Sequence, residues 1–370
     1  MFLFRNANLK GCIVDILCED GKIFKIEENI ENFYNVPEYD IEKRVVLPSL
    51  IDGHVHVTGG GGEGGFTTMV PPIKFEKIIR AGVTTLVGLL GTDCTTRSVQ
   101  NLIQKVRELS EYNIRTYALT GAYDYPSPTI TGSVKGDIVF INEIIGSKIA
   151  ISDHRSSYLD KHELLRLASE CFLGGLISGK VGELHMHTGR LGKRQLKDVF
   201  EILEESEIPI KVFRPTHCGN LVDDAIKFIN MGGYADFTAG EETPEILDYV
   251  MKKAPLERIT LSSDSNGSIP IWNDKKEVVR VEAAEISGLY ENIKTLVKDF
   301  NVDIDIAQRL VSKNVSEALQ ISNITGEIRE GLSCDFISID EDLNIIDVVS
   351  KGIIELKQNE ITRKLNFQNF

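Results

Sequence analysis

Apolar residues recur along this chain in two alternating rhythms. Short, nearly continuous apolar runs occupy positions 45–56, 84–90, 115–123, 148–153, 181–187, 208–217, 234–239 and 258–264, and read as buried strands. Between them, segments 98–111, 162–172, 193–204, 223–231 and 244–253 carry apolar side chains at three- and four-residue spacing, the period of a helix with one buried face. Eight strands alternating with helices match a closed parallel barrel better than an open sheet. The pattern predicts an α/β fold of the (β/α)8 TIM-barrel type.

The two ends break this rhythm. Residues 11–18 and 22–26 are short β-type runs around the turn Glu19-Asp20-Gly21-Lys22, and 334–339, 345–350 and 353–356 repeat that style. Neither end has enough strands for a stable sheet by itself. Together they predict one small β-sandwich domain made from residues 1–48 and 326–370, with the barrel, 49–325, inserted between. The glycine cluster at 59–65 reads as a loop. It lacks the Gly-Lys-Ser/Thr ending of a phosphate loop.

Composition narrows the function classes. A chain of 370 residues, 42 % hydrophobic, can bury a core large enough for such a partition. A formal charge of −14 argues against nucleic acid or an anionic membrane as partner. Six cysteines without CxxC spacing indicate neither a disulfide framework nor a thiolate zinc site. The opening Met1-Phe2-Leu3-Phe4-Arg5-Asn6 turns polar too early for a signal peptide, and no apolar run approaches a membrane span, so a cytoplasmic location is expected.

Chemistry gathers at the strand ends. In Ile51-Asp52-Gly53-His54-Val55-His56 the two histidines are separated by one residue, so in a strand they share a face and can reach one metal ion. Of the seven histidines, His54, His56, His187 and His217 close apolar runs, and Asp264 closes another. In a parallel barrel those ends converge on one face, where active sites form. Nitrogen and oxygen ligands without thiolates suit zinc, with iron, manganese or nickel as alternatives. Lys148 lies in Gly146-Ser147-Lys148-Ile149-Ala150-Ile151, an apolar context where an ammonium is costly. Burial lowers a lysine's pKa, and the neutral amine can add carbon dioxide to give a carbamate able to bridge two metals. A lysine that starts its strand with the ammonium in solvent fits the spacing equally well.

These segments resemble the amidohydrolase superfamily and, within it, the isoaspartyl dipeptidases. The likeness spans nearly the whole chain: Ile51-Asp52-Gly53-His54-Val55-His56, Gly121-Ala122-Tyr123, the run Ser147-Lys148-Ile149-Ala150-Ile151-Ser152-Asp153-His154-Arg155-Ser156, Pro215-Thr216-His217, and Leu261-Ser262-Ser263-Asp264-Ser265-Asn266-Gly267-Ser268. It implies two zinc ions per chain, bridged by carbamylated Lys148 and a hydroxide. His54, His56 and Asp264 would hold one ion, and His187 and His217 the other. The family's ligand precedes a short residue and a glycine, which fits His187-Thr188-Gly189 better than His185, and His185 is then expected to support the ligands or pack deeper in the barrel. Glu63, in isolation an ordinary loop carboxylate, matches the residue that holds a substrate α-amino group. Arg155 matches a substrate-carboxylate arginine, Tyr123 a phenol that polarises the scissile carbonyl, and Thr92 and Ser268 further substrate contacts. Asp264 would take the proton of the attacking hydroxide and return it to the leaving amine.

One departure stands out. The family has a second carboxylate-binding arginine soon after the sixth-strand histidine, where this chain reads His217-Cys218-Gly219-Asn220-Leu221. Arg190 and Arg214 are the nearby candidates to replace it. The resemblance thus implies a small-peptide hydrolase that forms a homo-oligomer. An amidohydrolase of other specificity, acting on N-acyl amino acids or cyclic amides, is the alternative, ahead of a non-catalytic scaffold.

Overall fold

The computed structural model describes residues 1–33, 35–189, 196–273 and 278–366. From the N-terminus, β1 (Phe2–Leu9), β2 (Cys12–Glu19), β3 (Lys22–Glu27), β4 (Glu38–Asp40) and β5 (Val45–Pro48) come first. Six strands then alternate with helices: β6 (Leu50–Val55), β7 (Val83–Gly88), β8 (Arg115–Gly121), β9 (Ile144–Ile151), β10 (Glu183–Thr188) and β11 (Phe213–Thr216). They form one parallel sheet in chain order that curls into a half-barrel. All six residues of β7 are buried, as expected for a β-branched strand covered on both faces.

A second parallel pair, β12 (Ala235–Thr238) and β13 (Ile259–Ser262), lies between the two edges of that sheet. On one side Thr216 donates to Asp236 at 2.8 Å. On the other, Val55 makes a parallel bridge to Ser265, and the Ser263 hydroxyl donates to Asp52. An antiparallel hairpin, β14 (Ser268–Trp272) with β15 (Val278–Ala283), follows and was not anticipated from the apolar pattern. The C-terminal strands are β16 (Phe336–Ile339), β17 (Ile345–Ser350), β18 (Ile353–Lys357) and β19 (Glu360–Ile361). Strands from both ends join one nine-stranded sheet through the antiparallel pairing of β5 with β16. Phe4 packs edge-on against Phe336 inside it.

Local signals set the helices. Ser98 caps Val99–Glu111, whose Leu102, Ile103, Val106 and Leu109 are buried at helical spacing. Asp160 and Glu163 form a capping box on Lys161–Ser178, which runs beyond the expected residue 172 to a left-handed Gly179. The helix expected at 193–204 is Lys197–Glu205, positions 193–195 lying outside the described residues. Two strand expectations need correction. Only Phe213–Thr216 of 208–217 is strand, because Pro209 leads into a 3-10 turn at Ile210–Val212. The strand expected to start at Lys148 starts at Ile144, which puts the lysine in mid-strand and fully buried. The solvent-facing ammonium is thereby excluded. Among the described residues no helix is long and apolar enough to cross a membrane.

Candidate metal and substrate site

The end of β6 and the turn after β13 are laced together. Asp52 accepts from the backbone N–H of both His54 and Ser263. The His56 N–H donates to the Ser265 carbonyl at 2.9 Å. This lacing delivers Asp264, two residues past β13 in the left-handed region (φ 53°), so that Oδ1 stands 3.1 Å from Nε2 of both His54 and His56. His217, one residue past β11, is also left-handed at φ 61°. Such a conformation is uncommon outside glycine and costs of order 1–3 kcal/mol, so the surrounding packing must enforce it.

The remaining expected ligands face the same space. Lys148 Nζ is 3.2 Å from His54 Nε2. The His217 ring is 4.4 Å from that of His187 and 5.3 Å from that of His54. His217 Nδ1 is 2.7 Å from the Thr238 hydroxyl, which leaves Nε2 facing inward. Burial holds the imidazoles of His54, His185 and His217 well below their ordinary pKa and brings His187 to about 4, so these rings are neutral and carry a lone pair. Burial likewise draws the Lys148 amine down to about 7.

A cation fits this donor set. Ligand atoms of His54, His56 and Asp264 lie within 4.8 Å of one another. Buried His217 Nε2 and Asp264 Oδ1 find no hydrogen-bond partner among the described residues, a costly state for polar atoms that a metal would relieve. Close packing keeps His56 in place, because a Cβ on Gly91 would stand 2.8 Å from its Cε1. Gly91→Ala should therefore push the ring off its position, cost about 1–3 kcal/mol and lower the metal content found by elemental analysis. A variant that retains the full metal content would show that the ring has room.

Next to this cluster, Glu63 Oε1 accepts from Ser268 at 2.6 Å, from Thr92 at 3.2 Å and from Arg155 at 3.3 Å. Its other oxygen is buried without a partner among the described residues. Thr92 and Ser268 thus brace Glu63. Asp153 grips Arg155 through both carboxylate oxygens, at 3.0 and 3.1 Å, and Oδ2 also takes His187 Nε2 at 2.9 Å. Burial opposes ionising Asp153, yet the His187 and Arg155 contacts depress its pKa well below the usual range. The Tyr123 hydroxyl is 2.7 Å from His187 Nδ1, and burial keeps it protonated.

The sequence assigned no settled role to His154, Arg214 or Arg190. His154 is mostly exposed, with Nδ1 3.3 Å from Asp153. Arg214 is buried in β11, its Nη2 3.2 Å from Glu183 Oε2, so it is engaged in the floor and not offered to a substrate. Arg190 lies outside the described residues. Asp52, Asp153 and Glu183 were not anticipated as parts of the site. Only the placement of Asp153 two residues before Arg155 hinted at a clamp.

No family model matches this chain. Dihydroorotases of Bacillus thuringiensis (strain Al Hakam) and Bacillus cereus (strain AH820) are 32 % identical over 125 residues, which is 31 % of this chain and only 28 % of their length. The likeness to solved structures is far more extensive. A β-aspartyl dipeptidase from Fervidobacterium islandicum AW-1, in complex with the dipeptide β-Asp-Leu, superposes with a TM-score of 0.93 at 35 % identity, covering 99 % of this chain and 100 % of that one. Another structure of the F. islandicum enzyme gives 0.90 at 34 %, with the same coverage. An N-acetylglucosamine-6-phosphate deacetylase from Pasteurella multocida, at 0.61 and 12 % identity over 96 % of this chain and 100 % of its own, shares the fold alone. With a relative more than 30 % identical from end to end, and with this chain's histidines and aspartate at strand ends gathered around a buried mid-strand lysine, the chain belongs to the β-aspartyl dipeptidases of the amidohydrolase superfamily.

Proposed function

We propose that this protein hydrolyses the β-aspartyl bond of isoaspartyl dipeptides. The observation that carries the reading is the contact between Glu63 and Arg155, 3.3 Å apart beside the metal cluster. An isoaspartyl residue keeps its α-ammonium and α-carboxylate on one carbon, with nitrogen and carboxyl carbon roughly 2.5 Å apart. A carboxylate and a guanidinium in contact are complementary to that zwitterionic head. An ordinary α-peptide cannot offer it, because its aspartyl α-carboxyl is consumed in the bond. A cyclic amide without an ammonium would offer no cation to Glu63 Oε2, unpartnered among the described residues, which disfavours the alternative that the dihydroorotase likeness raises.

We read the site as holding two zinc ions, one by His54, His56 and Asp264, the other by His187 and His217, with carbamylated Lys148 joining them. When bound, the metals supply a water acidified towards neutrality and positive charge for the carbonyl oxygen. The chain's own groups do the rest. Glu63 and Arg155 fix the aspartyl head, and Asp153 holds the arginine. Tyr123 donates to the carbonyl oxygen as charge develops there. Asp264 accepts the proton of the attacking water and gives it to the leaving amine. We further read the eight parallel strands as a (β/α)8 barrel over 49–325 and the two ends as a small β-sandwich domain, in a cytoplasmic homo-oligomer.

Carbamate formation requires the neutral amine, and the Lys148 pKa near 7 makes that form dominant above neutral pH. Incorporation of isotopically labelled bicarbonate should rise as pH passes through 7 and be lost below it. Lys148→Met should abolish it, and label in that variant would place the adduct elsewhere. The function is tested by assaying zinc-loaded protein against β-Asp-Leu, α-Asp-Leu and cyclic amides. Turnover confined to the β-linked peptide is expected, and comparable turnover of α-Asp-Leu would refute the reading.

A further inference from the structure

His185 is the buried histidine with no part in the reading above, and its neighbours form a line. Arg214 Nη2 is 3.2 Å from Glu183 Oε2, and Glu183 Oε1 is 3.2 Å from His185 Nδ1. His185 Nε2 is 3.2 Å from His54 Nδ1. On the far side of that ring, His54 Nε2 meets Asp264 Oδ1 at 3.1 Å and Lys148 Nζ at 3.2 Å. All four members from Arg214 to His54 are buried.

Donor and acceptor chemistry gives the line a direction. Burial raises the Glu183 pKa, and against it the Arg214 guanidinium 3.2 Å away, which can only donate, favours Glu183 as a carboxylate. A carboxylate can only accept, so the His185 proton sits on Nδ1 and its lone pair on Nε2. That lone pair faces His54 Nδ1, which must then carry the proton of the His54 ring. The His54 lone pair is left on Nε2, the side where Asp264 Oδ1 stands, so that both atoms can be ligands of one cation held between them. We infer that His185 is a positioning residue that passes the polarity of the buried Arg214–Glu183 pair to His54 and so fixes the tautomer in which His54 can bind a metal. The inference rests on the metal reading above and deepens it. Histidine ligands commonly donate their other N–H to a carboxylate or carbonyl. Here a second imidazole stands between.

One competitor has to be separated. The Thr216 hydroxyl is 3.3 Å from His54 Nδ1 and donates its own hydrogen to Asp236, so it too can accept the His54 proton. The test measures zinc affinity of the full chain by chelator competition, with zinc as the only added ligand. His185→Phe should weaken binding about tenfold to a hundredfold, the range for losing such a partner. His185→Gln, which keeps one donor and one acceptor, should restore most of it. That rescue distinguishes a relay from a lost ligand. Thr216→Val should stay near the unaltered protein. Wild-type affinity in His185→Phe, no rescue by Gln, or a larger loss in Thr216→Val would each overturn the inference. If His185→Phe does not fold, isotope-edited NMR of the unaltered protein reads the same point. Protons on Nδ1 of both His54 and His185 are expected, and an Nε2 proton on either ring refutes the relay. Failure of the unaltered protein to bind zinc would remove the metal reading and this inference with it. Zinc binding that is indifferent to His185 removes the inference alone.

Discussion

Asp264→Asn is expected to lower turnover of β-Asp-Leu by roughly a hundredfold to ten-thousandfold, with metal content close to that of the unaltered protein. The expectation follows from what one atom changes. Asp264 Oδ1 lies 3.1 Å from two imidazole nitrogens, and the turn that presents it is held from outside the side chain, by Ser263 on Asp52 and by the Val55–Ser265 bridge. The amide oxygen of asparagine can therefore take the same place. It cannot accept and return a proton. Because the proposed hold of Glu63 and Arg155 on the substrate head does not involve Asp264, the loss should appear in kcat with KM little changed. Near-normal turnover would remove Asp264 as the proton carrier. Loss of metal together with activity would assign it to metal binding alone.

The parts of this site legible in the sequence are those governed by short-range rules. A period of two puts His54 and His56 on one face, and the structure has both rings against Asp264. The apolar flanks of Lys148 left burial and a solvent-facing ammonium equally open, and β9 beginning four residues earlier than the pattern indicated decides for burial. What could not be read depends on contacts between distant segments. Glu63 looks like a solvated loop acid until Ser268, 205 positions away, closes on it. Arg214 looked like a spare cation for the substrate. It is engaged because alternate side chains of a strand share a face, and that face brings it to Glu183 in the neighbouring strand. The conformation of His217 was invisible as well: the apolar run continues to its position, but the strand ends at Thr216 and the residue turns left-handed.

N-Acetylation of β-Asp-Leu should reduce kcat/KM by about 1.5–3 kcal/mol, roughly tenfold to a hundredfold, and Glu63→Gln should cost a similar factor on the free dipeptide. Both changes remove one half of the same charge-assisted contact, so combining them should cost much less than the product of the two. The contact is stronger than a surface pair because Glu63 has one oxygen buried without a partner among the described residues and the other engaged by Ser268, Thr92 and Arg155. An incoming ammonium therefore meets a carboxylate already fixed and partly stripped of water. Equal kcat/KM for free and acetylated substrate would take Glu63 out of the site. The other end of the substrate should behave differently. Near the place where the resemblance implies a second arginine, this chain reads His217-Cys218-Gly219-Asn220-Leu221 without one, and Arg214 is committed to Glu183. C-Amidation of the leucine should consequently weaken the reaction far less than acetylation does. A loss as large as that from acetylation would mean that another cation meets the leaving residue's carboxylate, and repeating the comparison in Arg190→Ala would show whether Arg190 is that cation.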